Sequence, residues 1–188
     1  MFNKRAPNER CKIMANDTNI LKGTVLVELF DENGNLKLEY TMNNLITDAG
    51  DLYYVAQGIS GVSPALPSDP TKVNGMKLGT GATAVSKAGA GAALVTYLSG
   101  TNVAFDATYP QSLNLGSGLG VQAVYRTTFV AGVGTNAALT EVVIVNDQAS
   151  NATSVAANTI SRVLFASPIN KGASDTLAVT WNHKFLGA

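Results

Sequence analysis

The stretch that decides the fold class is Ile169-Asn-Lys-Gly-Ala-Ser-Asp-Thr-Leu-Ala-Val-Thr-Trp181. From residue 174 to residue 185 apolar and polar side chains alternate, and a period of two is typical of a β-strand with one buried face. The residues predicted to face the core are Leu177, Val179, Trp181, His183 and Phe185. Those on the opposite face are Thr176, Ala178, Thr180, Asn182 and Lys184. Few of these side chains can take part in chemistry, so the pattern favours a structural protein over an enzyme.

The same strand pattern recurs along the chain. Strands are predicted over residues 24–30, 36–40, 76–78, 121–130, 140–145, 159–166 and 175–186. Asn33-Gly34 predicts a hairpin between the first two, because both residues tolerate a positive φ. Glu141 and Arg162 are isolated charges on otherwise apolar strands, and we expect them to form a cross-strand ion pair.

One segment predicts a helix, near residues 47–57. Thr47 or Asp48 can cap it, whereas Gly50 weakens it by about 1 kcal/mol relative to alanine. Its predicted buried face carries Leu45, Ala49, Leu52 and Ala56. The expected fold class is therefore mainly β: an antiparallel β-sandwich, jelly-roll-like, with one short helix.

Length and composition predict one domain with an arm. Residues 1–22 are polar and basic at the front, and we expect an extended arm that orders on a neighbouring subunit. Residues 23–188 form the β-sandwich domain, with a long Gly/Ala-rich insertion around 84–120. An unstructured loop of that length is uncommon inside a domain, so we expect it to lie across a partner or to contain short strands.

Charge and hydropathy argue against two classes of partner. Thirteen basic and thirteen acidic residues cancel, which leaves no net field to attract nucleic acid. No stretch approaches the ~20 apolar residues that span a bilayer. The start of the chain lacks the apolar core of a signal peptide, so we expect a protein that stays in the cytosol.

Each residue that could do chemistry has a more ordinary interpretation. His183 is the sole histidine and falls on an apolar face, which favours a core position. Cys11 is the sole cysteine and excludes an intrachain disulfide. Gly79–Thr83 and Gly116–Gly120 lack the strand–loop–helix order of a phosphate loop, which favours turns.

The remaining motifs are equally weak. The acidic stretch Asp31–Asn35 resembles a calcium loop, but Met42 stands where the bidentate Glu would be needed. Asn16 and Asn151 match the glycosylation pattern by chance. We therefore expect no enzyme, no cofactor, and no catalytic, cofactor-binding or metal-binding residue.

Several segments, taken in order over residues 44–182, resemble a group of tailed-bacteriophage virion structural proteins. The segments are Asn44-Leu-Ile-Thr47 with Gly50, Met76-Lys-Leu-Gly-Thr-Gly81, Tyr125-Arg-Thr-Thr-Phe129, Leu139-Thr-Glu141, Arg162-Val-Leu-Phe165 and Ile169–Trp181. The group includes capsid decoration proteins and tail-associated β-sandwich proteins. The basic arm has no counterpart in that pattern, and Asn146-Asp147 stands where members continue into a longer Gly/Asn turn.

The resemblance implies a non-enzymatic protein of the virion, synthesised in the host cytoplasm. It implies a homo-oligomer that decorates or cements the capsid, with the major capsid protein and copies of itself as partners. A tail, neck, baseplate or fibre component is the alternative, although the chain has no repeats or coiled-coil segments. A carbohydrate-binding β module is a further alternative, and it requires Tyr53, Tyr54, Tyr97, Tyr109 and Trp181 to converge on an exposed face.

Overall fold

The computed structural model describes residues 21–58 and 71–185, which contain nine β-strands, one α-helix and two short 3-10 helices. The first elements are β1 (Lys22–Phe30), β2 (Leu36–Ile46), α1 (Asp48–Gly58), β3 (Gly75–Gly79), β4 (Val103–Ala104) and β5 (Gln111–Asn114). The later strands are β6 (Val121–Phe129), β7 (Asn136–Val145), β8 (Thr159–Lys171) and β9 (Thr176–Phe185). The 3-10 helices span Gly89–Ala92 and Ala156–Asn158. Cys11, Asn16 and most of the predicted arm lie outside the described residues.

The strands form one antiparallel sheet in the order β4-β3-β7-β8-β2-β1-β9-β6-β5. This confirms the mainly β, antiparallel class, but the hydrogen bonding joins into one strongly curled half-barrel where we expected two sheets. The reason lies in β2, which pairs with β1 from Leu36 to Asn44 and with β8 only through Leu45 and Ile46. The strand β2 thus joins a first half, formed by β1, β9, β6 and β5, to a second half, formed by β8, β7, β3 and β4, and the sheet bends there without being interrupted.

The core lies inside the curl. On β9 the side chains of Leu177, Val179 and Trp181 are fully buried, as the alternation predicts. Trp181 lies opposite Val25 of β1 on one side and Tyr125 of β6 on the other. Since β9 pairs with both of these strands along its whole length, it is the centre of the first half of the sheet.

The predicted hairpin at Asn33-Gly34 is confirmed. Gly34 has a φ of 81°, and its N–H donates to the carbonyl of Asp31 at 3.1 Å. The Asp31 carboxylate accepts the N–H groups of Asn33 and Asn35 at 2.9 and 2.8 Å. These bonds hold the turn that joins β1 to β2.

The Gly/Ala-rich insertion packs on its own sheet. It contains the short strands β4 and β5, as predicted. Before them, Leu94 is buried against Val143 and Val145 on the outer face of β7. Tyr97 forms a bridge with Gly79 of β3. The second half of the sheet is formed by β3, β4, β7 and β8. The insertion covers its outside, so that β3 and the adjoining parts of β7 and β8 are buried on both faces.

Thr47 caps the start of helix α1, and its Oγ1 accepts the N–H of Gly50 at 3.1 Å. Thr47 Oγ1 also donates to the carbonyl of Thr159 at 2.6 Å, which ties the helix start to β8. The predicted buried face is confirmed only in part: the buried helix residues are Gly50, Tyr53 and Ala56, and Ala49 packs partly buried against the core. A Cβ at Gly50 would overlap the carbonyl oxygen of Ile160. The glycine therefore permits close contact between helix and strand.

Gly50→Ala should lower the free energy of unfolding by about 2 kcal/mol, because the overlap with backbone outweighs the gain in helix propensity. Gly58→Ala is the matched control, since a Cβ at Gly58 meets nothing within 4 Å. Urea unfolding of both variants checks this prediction. Equal stability of the two variants would contradict the close helix–strand contact.

Candidate interaction surface

Glu141 and Arg162 form the cross-strand ion pair that the sequence predicted. Arg162 Nε donates to Glu141 Oε2 at 2.9 Å, and Nη2 lies 2.8 Å from the same oxygen. Both side chains are completely buried on the outer face of β7 and β8, beneath the insertion. A buried pair of charges is stable only when further hydrogen bonds satisfy both groups.

The insertion and the loop at Gly79–Thr83 that leads into it supply those further hydrogen bonds. Glu141 Oε1 accepts the N–H groups of Gly81 and Thr96 at 3.0 and 2.9 Å, and Oε2 accepts that of Val95 at 3.2 Å. Arg162 Nη1 donates to the carbonyls of Thr83 and Gly91 at 2.9 and 3.0 Å. The loop at Gly79–Thr83 therefore directs an amide to a carboxylate of the same chain, as expected of a structural turn.

Two buried lysines also donate hydrogen bonds to oxygen atoms of the same chain. Lys77, which sequence reasoning missed, donates to Asp147 Oδ1, the carbonyl of Ala152 and Ser154 Oγ at 3.1, 3.0 and 2.9 Å. Lys171 donates to the carbonyls of Val130 and Asp175 at 3.1 and 2.6 Å. The sequence did contain an indication of the Lys77 contacts, because Lys77 is the only charged residue in the otherwise apolar β3.

The Lys171–Asp175 turn fixes the passage of the chain from β8 to β9. Burial lowers the pKa of Lys171, and the negative charge of Asp175 partly opposes that shift. Lys37 donates to Asp175 Oδ2 at 2.8 Å and is the main reason that the pKa of Asp175 is lowered. The Asp175 carboxylate also accepts the N–H of Gly172 at 2.8 Å.

His183 lies in the core, as predicted, within a chain of polar side chains. Asn44 Nδ2 lies 3.1 Å from His183 Nε2, and the ring Nδ1 contacts Tyr54 Oη. Because the Asn44 amide donates to Nε2, the ring proton lies on Nδ1 and faces the Tyr54 hydroxyl. The Tyr54 hydroxyl in turn lies 3.0 Å from the Tyr125 hydroxyl. Burial lowers the pKa of His183 to about 3, so the ring is neutral at physiological pH.

The remaining candidates form no site. Among the described residues no group of three or more His, Cys, Asp or Glu side chains is placed to hold a metal ion. Asn151 accepts hydrogen bonds from Tyr97 and Gly100 at 2.6 and 2.8 Å. Tyr53 and Trp181 are buried, so the five aromatic residues share no exposed face. In the same part of the chain, no helix has the length and apolar character needed to cross a membrane.

The hairpin of β5 and β6 differs from all of these features because it faces outward. Every residue of β5 is exposed, and the strand lies at the end of the sheet. The exposed fractions of Leu113, Leu119 and Val121 are 49%, 55% and 51%. Gly116–Gly120 forms its turn, with Leu119 N–H donating to Gly116 O at 3.1 Å, which agrees with the prediction of a turn.

Sequence reasoning missed this surface, although a signal was present. The chain has no charged residue between Ala107 and Tyr125. This exposed edge strand lacks the charged side chains with which many proteins protect such edges, and this makes it the candidate interaction surface. Comparison of the chain with protein-family models, with curated proteins and with solved structures finds no match.

Glu141→Gln should lower the free energy of unfolding by about 3 kcal/mol, because it leaves Arg162 as a buried charge without a counter-charge. Asp51→Ala removes the exposed partner of Lys87 and should cost below about 1 kcal/mol. Urea unfolding of the two variants and of Arg162→Met, alone and combined with Glu141→Gln, measures the coupling. A cost for Glu141→Gln no larger than that for Asp51→Ala would contradict a stabilising role of the buried ion pair.

The stability of the fold should fall as the pH drops below about 6.5, the pKa of an unfolded histidine. The folded ring has the lower pKa, so the unfolded chain binds a proton that the folded chain does not. The loss should approach about 1.4 kcal/mol per pH unit between pH 6 and pH 5. His183→Gln should show a flatter dependence in the same range, and an equal slope would exclude His183 as its origin.

Proposed function

We propose that this chain is a non-enzymatic structural protein of a tailed-bacteriophage virion. In this proposal the curled β-sheet domain decorates or cements the capsid, and residues 1–22 act as the arm that reaches a neighbouring subunit. Its partners are the major capsid protein and copies of itself. The two halves of the curled sheet, with the core between them, take the place of the two sheets in a jelly-roll-like sandwich.

One observation carries the proposal: the segments behind the resemblance meet in space and hold the domain together. Gly81, Glu141 and Arg162 come from three of these segments and form one buried cluster. Lys171 and Asp175, from the closing segment, fix the turn into β9. The resemblance therefore concerns the residues that build the domain, as it should if the shared property is an architecture and not a reaction.

The chemistry of the described residues supports the same conclusion. The sole histidine is neutral and buried, and the buried charges are bound to groups of the same chain. A catalytic acid, base or nucleophile has to reach a substrate, and these groups face the interior. Large contact areas repeated by symmetry would provide the binding energy of a virion protein without any cofactor.

The location of the chain on the particle tests the proposal. Cryo-electron microscopy of the phage that encodes it should show density for the domain in many copies on the icosahedral shell. A few copies in a ring or trimer at the vertex or tail would support the tail, neck, baseplate or fibre alternative. Absence from the particle would overturn the assignment to the virion.

Deletion of residues 1–20 should leave the domain folded and abolish its attachment to capsids. The domain should fold because β1 begins after the deletion, at Lys22, and carries the strand pairs with β2 and β9. Co-sedimentation of full-length and truncated protein with capsids that lack the protein measures the occupancy, and circular dichroism verifies the fold. Unchanged occupancy of the truncated protein would refute the role of the arm.

A further inference from the structure

We infer that β5 is a self-association edge, through which two copies of this chain pair antiparallel about a two-fold axis at Leu113. The inference goes beyond the proposed function, because it depends only on the geometry of the β5–β6 hairpin and holds for the isolated protein. It names the surface and the register of contact between two copies.

The direction of the backbone groups of β5 follows from its hairpin. Leu115 N–H donates to Gly120 O at 3.1 Å, across the turn toward β6. Successive N–H groups of a strand point to opposite sides, so Leu113 and Gln111 also face β6. The N–H and C=O groups of Ser112 and Asn114 therefore point away from the sheet, where no strand of the described residues pairs with them.

Those outward groups fix the register of a two-fold pair. Ser112 of one copy would lie opposite Asn114 of the other, and the two equivalent positions would exchange four backbone hydrogen bonds. Leu113 would then face Leu113 of the second copy in a pair without hydrogen bonds, where the two Cα atoms approach to about 4.5 Å. The two half-exposed leucines would cover each other.

The composition of the hairpin favours a second copy as the occupant. In a two-fold pair each residue meets its own equivalent or a near neighbour, so a charged strand would repel itself. The chain carries no charge between Ala107 and Tyr125, and its formal net charge is zero. The other end of the sheet is different: β4 has two residues, and beyond it the backbone N–H of Asp106 donates to the carbonyl of Arg126 at 2.9 Å.

The size of the contact sets the expected strength. A pair of four-residue edge strands buries far less than the roughly 1,200 Å² of a stable interface. The dimer should therefore be weak in solution and appear only at high protein concentration. Many copies held side by side on a larger assembly would raise the effective concentration and strengthen the same contact.

Sedimentation velocity over a series of concentrations up to about 1 mM, a range suited to weak dimers, tests the inference. The native chain should shift from monomer toward dimer as the concentration rises. Leu113→Lys should abolish the shift, because two lysines would face each other. Leu36→Lys is the matched control: Leu36 is 50% exposed on β2, and its variant should dimerise like the native chain.

Cross-linking supplies an independent readout. In a Cys11→Ser background, Leu113→Cys should form a disulfide-linked dimer under mild oxidation, because the expected Cα separation suits a disulfide. Leu36→Cys in that background should stay monomeric, and circular dichroism should show that every variant is folded. A native chain that remains monomeric, or equal cross-linking of the two cysteine variants, would overturn the inference. Dimerisation that persists in Leu113→Lys would also overturn it.

Discussion

The ion pair between Glu141 and Arg162 is the interaction on which the second half of the structure depends. Removing two charges from water costs several kcal/mol for each ion, and their mutual attraction alone does not offset that cost. The described structure offsets it with three amides on the carboxylate and two carbonyls on the guanidinium. Three come from the insertion and two, from Gly81 and Thr83, come from the loop that leads into it, so the pair and these two segments stabilise each other.

This constraint explains how a long Gly/Ala-rich segment can be ordered. Few of its side chains could form a core of their own, and its backbone groups need partners wherever they are buried. Glu141 and Arg162 provide such partners at fixed positions on β7 and β8. In the loop that leads into this segment, a small residue lets the backbone approach closely: a Cβ at Gly81 would overlap Glu141. The charged chemistry of this half thus serves its architecture, while the uncharged β5 edge faces solvent.

Much of this arrangement could be predicted from local patterns. Three features follow from neighbouring residues: the alternation along β9, the Asn33-Gly34 hairpin and the Thr47 cap. The Glu141–Arg162 pair could be predicted because each is an isolated charge on an otherwise apolar strand. The single curled sheet was not predictable in that way, because it depends on two residue pairs between β2 and β8. The buried face of α1 was predicted only in part, since the contact of Gly50 with Ile160 joins residues far apart in sequence. From sequence alone, such a glycine is identified only as a residue of low helix propensity.

Native-state hydrogen exchange at the amides of Gly81, Val95 and Thr96 tests the central claim most directly. These three N–H groups donate to Glu141 from outside the strands, Gly81 from the loop after β3 and Val95 and Thr96 from the insertion. If the buried ion pair anchors the insertion, they should exchange only through global unfolding, with the same protection as the amides of β7 and β8. Exchange orders of magnitude faster than that of the strands would mean that the insertion opens independently, and it would contradict the account.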